Sequence, residues 1–399
     1  MLNSLRLYAK YFIVSAISPA GKYLWLDTGR YIFNKDIFKK EPHKEPDLQA
    51  KALMKAIAWL VRSQQANTDG GMGSFHLINK WSSSYPETTG YIIPTLLNFG
   101  RKYDNDEVTG SAMKAAKFLL KIQKKSGGWQ GGRVAENKPE IVFNTGQAIR
   151  GMMAAYNFSG EQKYLDAASA AGRWLSGIQN PEGYWKEFAL MNQPRVYDTF
   201  VDAPLLELYG LTGEESLKNA AIRNLDWVVG EKMLENGWFE DCDNTIRRND
   251  KPILHTIAYT LDGLVDCGLM LEDEKYIAAA RKGAAQLREI FPERGYLHGR
   301  YDRNWHGSEH MICTGSAQIS IVWLKFFRIS GERVWYDAAG QMLDLLMTVQ
   351  SRMRGEPVDT LGAIPGSFPL WGRYEPFAFP NWATKFFADA LLLESELRP

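Results

Sequence analysis

Helical periodicity dominates the chain from about residue 45 onward. Apolar residues recur at three and four positions in Lys163–Ile178, Glu214–Val229 and Lys275–Ile290, which is the period of an amphipathic α-helix. No stretch of alternating apolar and polar residues, the pattern of a half-buried strand, competes with them. The pattern therefore predicts an all-α protein.

A more apolar helix follows each amphipathic one, after a loop that contains glycine and an aromatic or apolar residue. These loops begin at Gly73, Gly128, Gly183, Gly237, Gly295 and Gly362, with the early ones about 55 residues apart. The predicted apolar helices are Glu87–Asn98, Asn144–Tyr156, Asp198–Tyr209, His255–Leu271, Cys313–Ile329 and Asn381–Leu393. The chain is thus predicted to repeat a helical hairpin six times.

Six such hairpins are predicted to close into an (α/α)6 toroid. An apolar helix is covered on most sides and lies inside, whereas an amphipathic helix packs around it from outside. An open solenoid would need polar capping repeats, and the sequence shows none. A length of 399 residues alone would suggest two or three domains, but the repeat predicts a single toroidal domain over residues 45–399.

Residues 1–44 lie outside the repeat and form a basic, aromatic arm. Its cations outnumber its acids, and it carries several Tyr, Phe and Trp residues. We expect the arm to pack on the toroid; peripheral contact of residues 1–40 with an anionic membrane or a protein is the alternative. The apolar run 11–17 is interrupted by serine and precedes no clear cleavage site, so no signal peptide is expected.

Composition narrows the function classes. The chain has 47 Lys and Arg against 46 Asp and Glu, a balance that does not favour nucleic acid as a partner. Three cysteines rule out a disulfide scaffold, so a cytoplasmic protein is expected, with association with a membrane as the alternative. Neither a metal nor a cofactor is expected, because no zinc-type spacing and no phosphate-binding glycine motif occurs.

The predicted inner helices begin with polar side chains that a toroid would bring to one mouth. Parallel helix N-termini also make such a mouth favourable for anions. The aligned first positions are Glu87, Asn144, Asp198, His255, Cys313 and Asn381, and one turn further in come Tyr91, Gln147, Asp202, Tyr259, Gln318 and Lys385.

Part of this set has a structural alternative. Asn144 and Asp198 suit helix capping as well as function. Glu87 and His255 are poor caps, and His255 shares a helix face with Tyr259 at i, i+4. Glu87 and His255 are therefore stronger functional predictions than Asn144 and Asp198.

The loops before the inner helices add aromatic and cationic candidates. These are Trp81 and Tyr85, Arg195 and Tyr197, Arg300, Tyr301, Trp305 and His310, and Trp371, Tyr374 and Glu375, with Trp382 at the start of the last helix. Aromatic faces suit stacking on sugar rings, and Arg suits bidentate binding of carboxylates. The alternative is that some of these rings only close the ends of the toroid.

Two stretches resemble the QW motif of triterpene cyclases, which are also α/α toroids. They run from Gln123 to Trp129 and from Gln179 to Trp185. The segment Asp241-Cys242-Asp243-Asn244 resembles the acidic motif of the same family, but it lies before an inner helix and not at its start. Since a polyene-cyclising lumen is apolar and the predicted mouth is polar, we interpret the QW stretches as punctuation of the outer helices.

Other stretches resemble toroidal enzymes of uronic acid polysaccharides. The run Gly146–Ile149, and the order of residues from Gly295 to His310, are similar to the catalytic domain of glucuronyl C5-epimerases. Asp198 and Asp202, followed by Leu211-Thr212-Gly213, resemble the Asp-bearing helix of unsaturated glucuronyl hydrolases. Toroidal polyuronide lyases are similar in their Asn, His, Tyr and Arg set. The resemblance implies an α/α toroid and an oligosaccharide or polysaccharide substrate.

We therefore expect a carbohydrate-active enzyme that removes the C5 proton of a uronate, as an epimerase or a β-elimination lyase. His255, Tyr259 or Tyr301 would be the base. Asn144 or Gln147, with Arg300 or Lys385, would stabilise the enolate-like intermediate. The alternatives are a glycoside hydrolase that uses Asp198 or Asp202 with Glu87, a terpenoid cyclase-like toroid, and a non-catalytic glycan-binding scaffold in polysaccharide biosynthesis.

Overall fold

The computed structural model describes residues 46–245, 247–350 and 358–398. It also describes Arg6, residues 9–13, Trp25, residues 28–29 and Ile32. The predicted arm of residues 1–44 lies mostly outside the described residues, so its boundary remains a prediction.

Twelve long helices alternate between an outer and an inner ring in the described toroid. The outer helices are α1 (Pro46–Gln65), α3 (Asp106–Ile122), α5 (Gln162–Gly177), α7 (Glu215–Trp227), α9 (Glu274–Arg294) and α11 (Arg333–Val349). The inner helices are α2 (Pro86–Lys102), α4 (Val142–Ser159), α6 (Thr199–Thr212), α8 (Leu254–Leu271), α10 (Cys313–Ser330) and α12 (Asn381–Leu397). This arrangement confirms the predicted helix order.

The ring is closed. Each inner helix packs against the next along the chain, and α12 packs against both α1 and α2. Across the closure, the side-chain amide of Gln350 donates to the carbonyl oxygens of Ala52 and Gly362, both at 2.9 Å. The prediction of a closed (α/α)6 toroid is therefore confirmed.

The QW stretches tie one hairpin to the next. The amide of Gln123 donates to the carbonyls of Gly127 and Ala167, both at 2.8 Å, and Trp129 Nε1 donates to Leu119. Gly127 has a φ of 101°, where a Cβ atom would also lie 2.5 Å from a carbonyl oxygen of α5, so glycine is required. Equivalent bonds are made by Gln64, Gln179, Trp185 and Gln350. Their role as structural punctuation is thus confirmed.

The burial of the two rings follows their apolar patterns. In α8 almost every side chain is buried, as expected for a helix surrounded by its neighbours. In α9 the buried side chains follow one face, with Tyr276, Ala280, Ala284 and Leu287 at helical spacing. The apolar area that these faces remove from water is the main source of stability of the ring.

In the part of the chain that the structure describes, seven strands of two residues each interrupt the all-α pattern and pair the loops that precede inner helices. Strand β1 (Phe75–His76) pairs antiparallel with both β2 (Lys80–Trp81) and β7 (Ala378–Phe379). The remaining pairs are β3 (Arg300–Tyr301) with β4 (Gly307–Ser308) and β5 (Met311–Ile312) with β6 (Ser367–Phe368). These strands hold the loops at the end of the toroid where the inner helices begin, and they join the first hairpin to the last.

Candidate active site

A cavity of about 310 Å³ opens where the inner helices begin. Its walls come from the N-terminal ends of inner helices and from the loops before them. The lining residues are Tyr85, Glu87, Gly132, Arg133, Glu136, Lys138, Ile141, Phe143, Asn144, Leu190, Tyr197, Asn244, His255, Thr256, Tyr259, Tyr374, Glu375 and Trp382. Nine of the candidates predicted from the sequence lie here: Tyr85, Glu87, Asn144, Tyr197, His255, Tyr259, Tyr374, Glu375 and Trp382.

Glu87 and Tyr85 form the central polar pair of this cavity. The Tyr85 hydroxyl donates a 2.6 Å hydrogen bond to Oε2 of Glu87. Burial raises the pKa of Glu87 to about 7, and the bond from Tyr85 opposes that rise. Burial, with the adjacent Glu87, raises the pKa of Tyr85 well above its usual value. Near neutral pH, Glu87 can therefore donate or accept a proton, whereas Tyr85 stays protonated.

His255 is neutral near pH 7 and fixed by a neighbouring inner helix. Its Nδ1 atom lies 2.6 Å from Oε1 of Gln318, and burial lowers its pKa to about 4. When Nδ1–H donates to Gln318, the lone pair of Nε2 is the free acceptor. His255 also packs against the ring of Tyr259 at 4.4 Å between centroids. Burial raises the pKa of Tyr259 well above its usual value, so it is a neutral phenol.

Aromatic rings form much of the cavity wall. The ring of Phe143 lies 4.9 Å from that of Tyr259 and 5.4 Å from that of Tyr197. On the other side, Trp382 Nε1 donates a 2.9 Å hydrogen bond to the Tyr374 hydroxyl. The mouth is therefore more aromatic than the aligned sequence positions indicate, with rings interspersed among the polar groups.

Cationic residues at the cavity come from the loop between α3 and α4. Arg133 and Lys138 line the cavity and both lie near the carboxylate of Glu136, with Arg133 at 4.0 Å. The Arg133 and Lys138 side chains are 42% and 56% exposed, so each can still turn toward a ligand. Sequence reasoning missed this loop, because its residues lie outside the helix starts that were aligned. Its position directly before an inner helix was the available signal.

Asp198, Asp202 and Arg195 are buried but do not line the cavity. Burial raises the pKa of Asp198 to about 8, and the nearby charge of Arg195 opposes this rise. Burial, and then the proximity of Asp198, raises the pKa of Asp202 well above its usual value. Arg195 donates through Nη1 to the carbonyl of Asp243 at 2.6 Å.

Four other predicted residues lie deeper in the ring or at its far end. Gln318 supports His255 from behind, and Gln147 accepts a 3.1 Å hydrogen bond from Arg150. Tyr91 and Lys385 line a second cavity, also of about 310 Å³, toward the C-terminal ends of the inner helices. Lys385 is paired there with Asp389 at 2.6 Å.

The remaining candidates hold loops in place. Arg300 forms a buried ion pair with Asp243 at 3.0 Å and also donates to the carbonyl of Lys251. Tyr301 accepts a bond from the backbone of His298. Trp305 donates to the carbonyl of Asn236, Trp81 donates to Asp359, and His310 packs against Trp371 at 4.8 Å. None of these candidates lines the cavity.

Helix rotation explains why the aligned positions do not all converge. Successive residues in an α-helix differ by about 100° around its axis, so a one-residue error in alignment turns a side chain away from the lumen. In the third hairpin the cavity is lined by Tyr197 and not by Asp198. In the sixth it is lined by Trp382 and not by Asn381, which donates to Thr88 instead.

Within the described residues, no group of three His, Cys, Asp or Glu side chains has a geometry that could hold a metal ion.

Comparison with known proteins gives weak similarity in sequence and strong similarity in fold. No protein-family model matches the chain. A terpene cyclase–glycosyl transferase fusion protein from Humicola fuscoatra is 24% identical over 270 residues, which are 61% of this chain and 18% of that protein. The chain therefore spans less than a fifth of the length of this curated relative.

Solved structures resemble the chain over most of its length. An unsaturated glucuronyl hydrolase specific for heparin has a TM-score of 0.71 at 16% identity, over 89% of this chain and 98% of that one. A mutant of the unsaturated glucuronyl hydrolase from Streptococcus agalactiae, complexed with dGlcA-GalNAc6S, has a TM-score of 0.67 at 13% identity, over 91% of this chain and 95% of that one. A sugar epimerase from a ruminal bacterium scores 0.65 at 14% identity, over 87% and 98%. The predicted resemblance to toroidal carbohydrate-active enzymes is thus confirmed for the fold.

Proposed function

We propose that this protein is an enzyme that acts on an anionic, uronate-containing glycan, with Glu87 as the group that transfers a proton. The observation that carries the proposal is the Tyr85–Glu87 pair in the cavity, where the carboxyl group has a pKa of about 7. A group whose pKa lies near the working pH is the most effective general acid or base. The names of several structural neighbours, which include unsaturated glucuronyl hydrolases and a sugar epimerase, support the substrate class.

The cavity offers an anionic sugar both charge and stacking surfaces. Arg133 and Lys138 can bind a carboxylate, and the helix N-termini add partial positive charge. Tyr197, Tyr374 and Trp382 present rings against which a pyranose can stack. These features suit the binding of a uronate better than the binding of a neutral sugar.

The favoured reaction is removal of the proton at C5. The carboxylate form of Glu87 accepts that proton, and the electron pair moves into the uronate carboxyl group as an enolate-like intermediate. The Asn144 amide and the cations of the 132–138 loop can stabilise its charge. Delivery of a proton from water to the opposite face of C5 gives the epimer, and Glu87 then releases its proton to solvent. If instead the C4–O bond breaks and the departing oxygen takes up a proton from water, the product is an unsaturated uronate.

The pKa of Glu87 makes it a better base than His255 or Tyr259, which the sequence had suggested for this role. Tyr259 stays protonated, because its pKa lies well above the usual value. His255, with a pKa of about 4, is a weak base that can accept a hydrogen bond from a substrate hydroxyl. We therefore assign His255 and Tyr259 to substrate positioning in this proposal.

Hydrolysis is a second candidate. The pairing of Glu87 with Asp198 or Asp202 has no support, since neither aspartate lines the cavity. An unsaturated uronide is an enol ether, however, and its cleavage requires only one group that protonates the double bond and then accepts a proton from water. Glu87 has the pKa for both steps, and the named hydrolase neighbours support this reaction.

A terpenoid cyclase is a third candidate, supported by two observations. The curated relative is named a terpene cyclase–glycosyl transferase fusion, and the cavity wall is rich in aromatic rings, which stabilise cationic intermediates. The exposed cations and the neutral His255 suit a polar substrate better.

One assay distinguishes these reactions. The protein is incubated in deuterated water with polyuronides and, separately, with unsaturated uronide oligosaccharides, while the ultraviolet absorbance of the conjugated double bond is followed. A lyase increases this absorbance, a hydrolase decreases it, and an epimerase leaves it unchanged but incorporates deuterium at C5. The absence of all three changes, together with conversion of a linear isoprenoid, would reject the proposal in favour of a cyclase.

A further inference from the structure

The described part of the N-terminal arm is anchored by Tyr11. This side chain is buried, and its ring lies 6.5 Å from the rings of both Trp371 and Phe377. Its hydroxyl lies 2.8 Å from Oγ1 of Thr28, which ties a second segment of the arm to the first. The arm therefore has a defined contact with the toroid.

This contact lies on the face of the toroid that bears the cavity. Trp371 and Phe377 flank Tyr374 and Glu375 in the chain, and the latter two line the cavity. Lys10 lies close enough to His76 of β1 for its charge, after burial, to lower the pKa of that histidine. Strand β1 pairs with β7, which follows Phe377 directly. The arm thus lies beside the mouth.

The described residues of the arm expose both large apolar side chains and cations. Phe12, Ile13, Trp25 and Ile32 are 50–60% exposed, and Arg6 and Lys10 are exposed as well. In sequence, the arm contains further cations at Lys22, Arg30, Lys35, Lys39 and Lys40 against Asp27, Asp36 and Glu41. Exposed aromatic and aliphatic groups among cations are the features of a surface that binds at a bilayer interface.

We propose that the arm binds the surface of an anionic lipid bilayer and thereby holds the cavity mouth close to it. The apolar side chains would enter the headgroup region, while the cations would attract anionic lipid. The exposed apolar residues come from three separate described stretches of the arm, an arrangement that suits a fluid lipid surface better than a shaped protein partner. Among the described residues, no helix is long and apolar enough to cross a bilayer.

Vesicle sedimentation of the full chain tests this proposal. Vesicles of phosphatidylcholine alone are compared with vesicles that also contain phosphatidylserine. We expect binding to the mixed vesicles that weakens as salt is added. The double variant Phe12→Ser, Trp25→Ser should bind about tenfold more weakly or worse, and Lys10→Gln about fivefold more weakly.

Matched controls change exposed residues elsewhere on the toroid. Leu269→Ser, at the far end of α8, removes an apolar group that is 45% exposed, and Lys282→Gln removes an exposed cation of α9. Both should leave vesicle binding unchanged. Equal binding to the two kinds of vesicle, or unchanged binding by the arm variants, would overturn the proposal. Self-association without vesicle binding would instead identify a second copy as the occupant.

This proposal does not depend on the proposed function, because vesicle binding requires no turnover. None of the substituted residues lines the cavity, so the arm variants should act on a soluble substrate at the normal rate. Loss of vesicle binding with normal turnover supports the membrane role alone, and normal vesicle binding without turnover contradicts only the enzymatic proposal.

Discussion

Oε2 of Glu87 lies 2.6 Å from the hydroxyl oxygen of Tyr85, which donates a hydrogen bond to it inside the cavity. Two opposing effects act on this carboxyl group. Burial favours its neutral form, and the bond favours its charged form. The resulting pKa of about 7 places a proton-transfer group between a cationic loop and an aromatic wall.

Replacing Glu87 with Gln should lower activity by at least about a hundredfold without unfolding the protein. Glutamine keeps the shape of the side chain but cannot take up or release a proton, and loss of a general acid–base group costs roughly 10²- to 10⁴-fold in rate. Turnover and thermal melting of Glu87→Gln are compared with those of Glu375→Gln, a second carboxylate of the cavity wall. Substantial activity in Glu87→Gln would assign proton transfer to another group.

Replacing Tyr85 with Phe should move the pH profile to higher pH. The bond from Tyr85 lowers the pKa of Glu87, so its removal leaves burial to raise that pKa further. If the carboxylate form of Glu87 is the base, activity on the acidic side of the pH profile falls. If the neutral acid form is required, activity on the alkaline side persists to higher pH. The measurement is kcat/KM against pH, with Tyr197→Phe as the control. A profile that stays in place would show that Glu87 does not govern it.

Removing the exposed cations of the cavity should weaken substrate binding more than turnover. Arg133→Ala and Lys138→Ala should each raise KM for a uronate oligosaccharide about tenfold, because each loses a charge-assisted contact. The same variants should change KM for the matching carboxyl-reduced oligosaccharide little. Lys124→Ala, which removes a cation near Glu140 outside the cavity, is the control. Equal effects on the charged and neutral substrates would contradict a carboxylate-binding role.

Replacing Arg300 with Met should destabilise the protein. Its partner Asp243 is fully buried, and leaving such a charge unpaired costs about 3 kcal/mol or more of unfolding free energy. Lys275→Met breaks an exposed pair with Asp226 and should cost less than about 1 kcal/mol. Urea unfolding measures both. A stable Arg300→Met variant with an increased KM would instead favour the substrate-binding role predicted from the sequence.

The buried His255 should make the free energy of unfolding depend on pH below the pKa that this histidine has in the unfolded chain. Its pKa is about 4 in the folded protein against the ordinary histidine value of 6.5, so the unfolded chain binds the proton more readily. The contribution of this group to stability is present above pH 6.5 and is lost as pH falls toward 4. Between pH 7 and pH 5 the loss is about 2 kcal/mol.

Urea unfolding of His255→Gln at the two pH values measures this contribution. The variant should lose about 2 kcal/mol less than the original protein on acidification, while the other buried groups act equally in both. Buried acids such as Asp198, whose pKa is raised, act in the opposite direction and cancel in the difference. An identical pH dependence of the two proteins would show that His255 is not held neutral.

The local pattern of apolar and polar residues was sufficient to predict the architecture of the toroid. The apolar period of each helix depends on residues three and four apart, and Gln123 and Trp129 are recognisable by their spacing to Gly127 even though Gln123 also bonds to the next hairpin. Such short-range signals survive in a single sequence, so the six hairpins and their closure could be predicted. The paired strands could not, because two-residue strands carry no period of their own.

The chemistry of the cavity required the tertiary structure. Glu87, Asn144 and His255 were predicted at helix starts, but only packing decided that Tyr197 and Trp382, and not their neighbours Asp198 and Asn381, turn inward. A shift of one residue along a helix rotates a side chain by about 100° around the axis. Because the repeats differ in sequence, aligning them does not fix each position to within one residue. Burial, which sets the pKa of Glu87, depends on groups far away in the chain such as Tyr374. These are properties of the closed ring, and no local segment contains them.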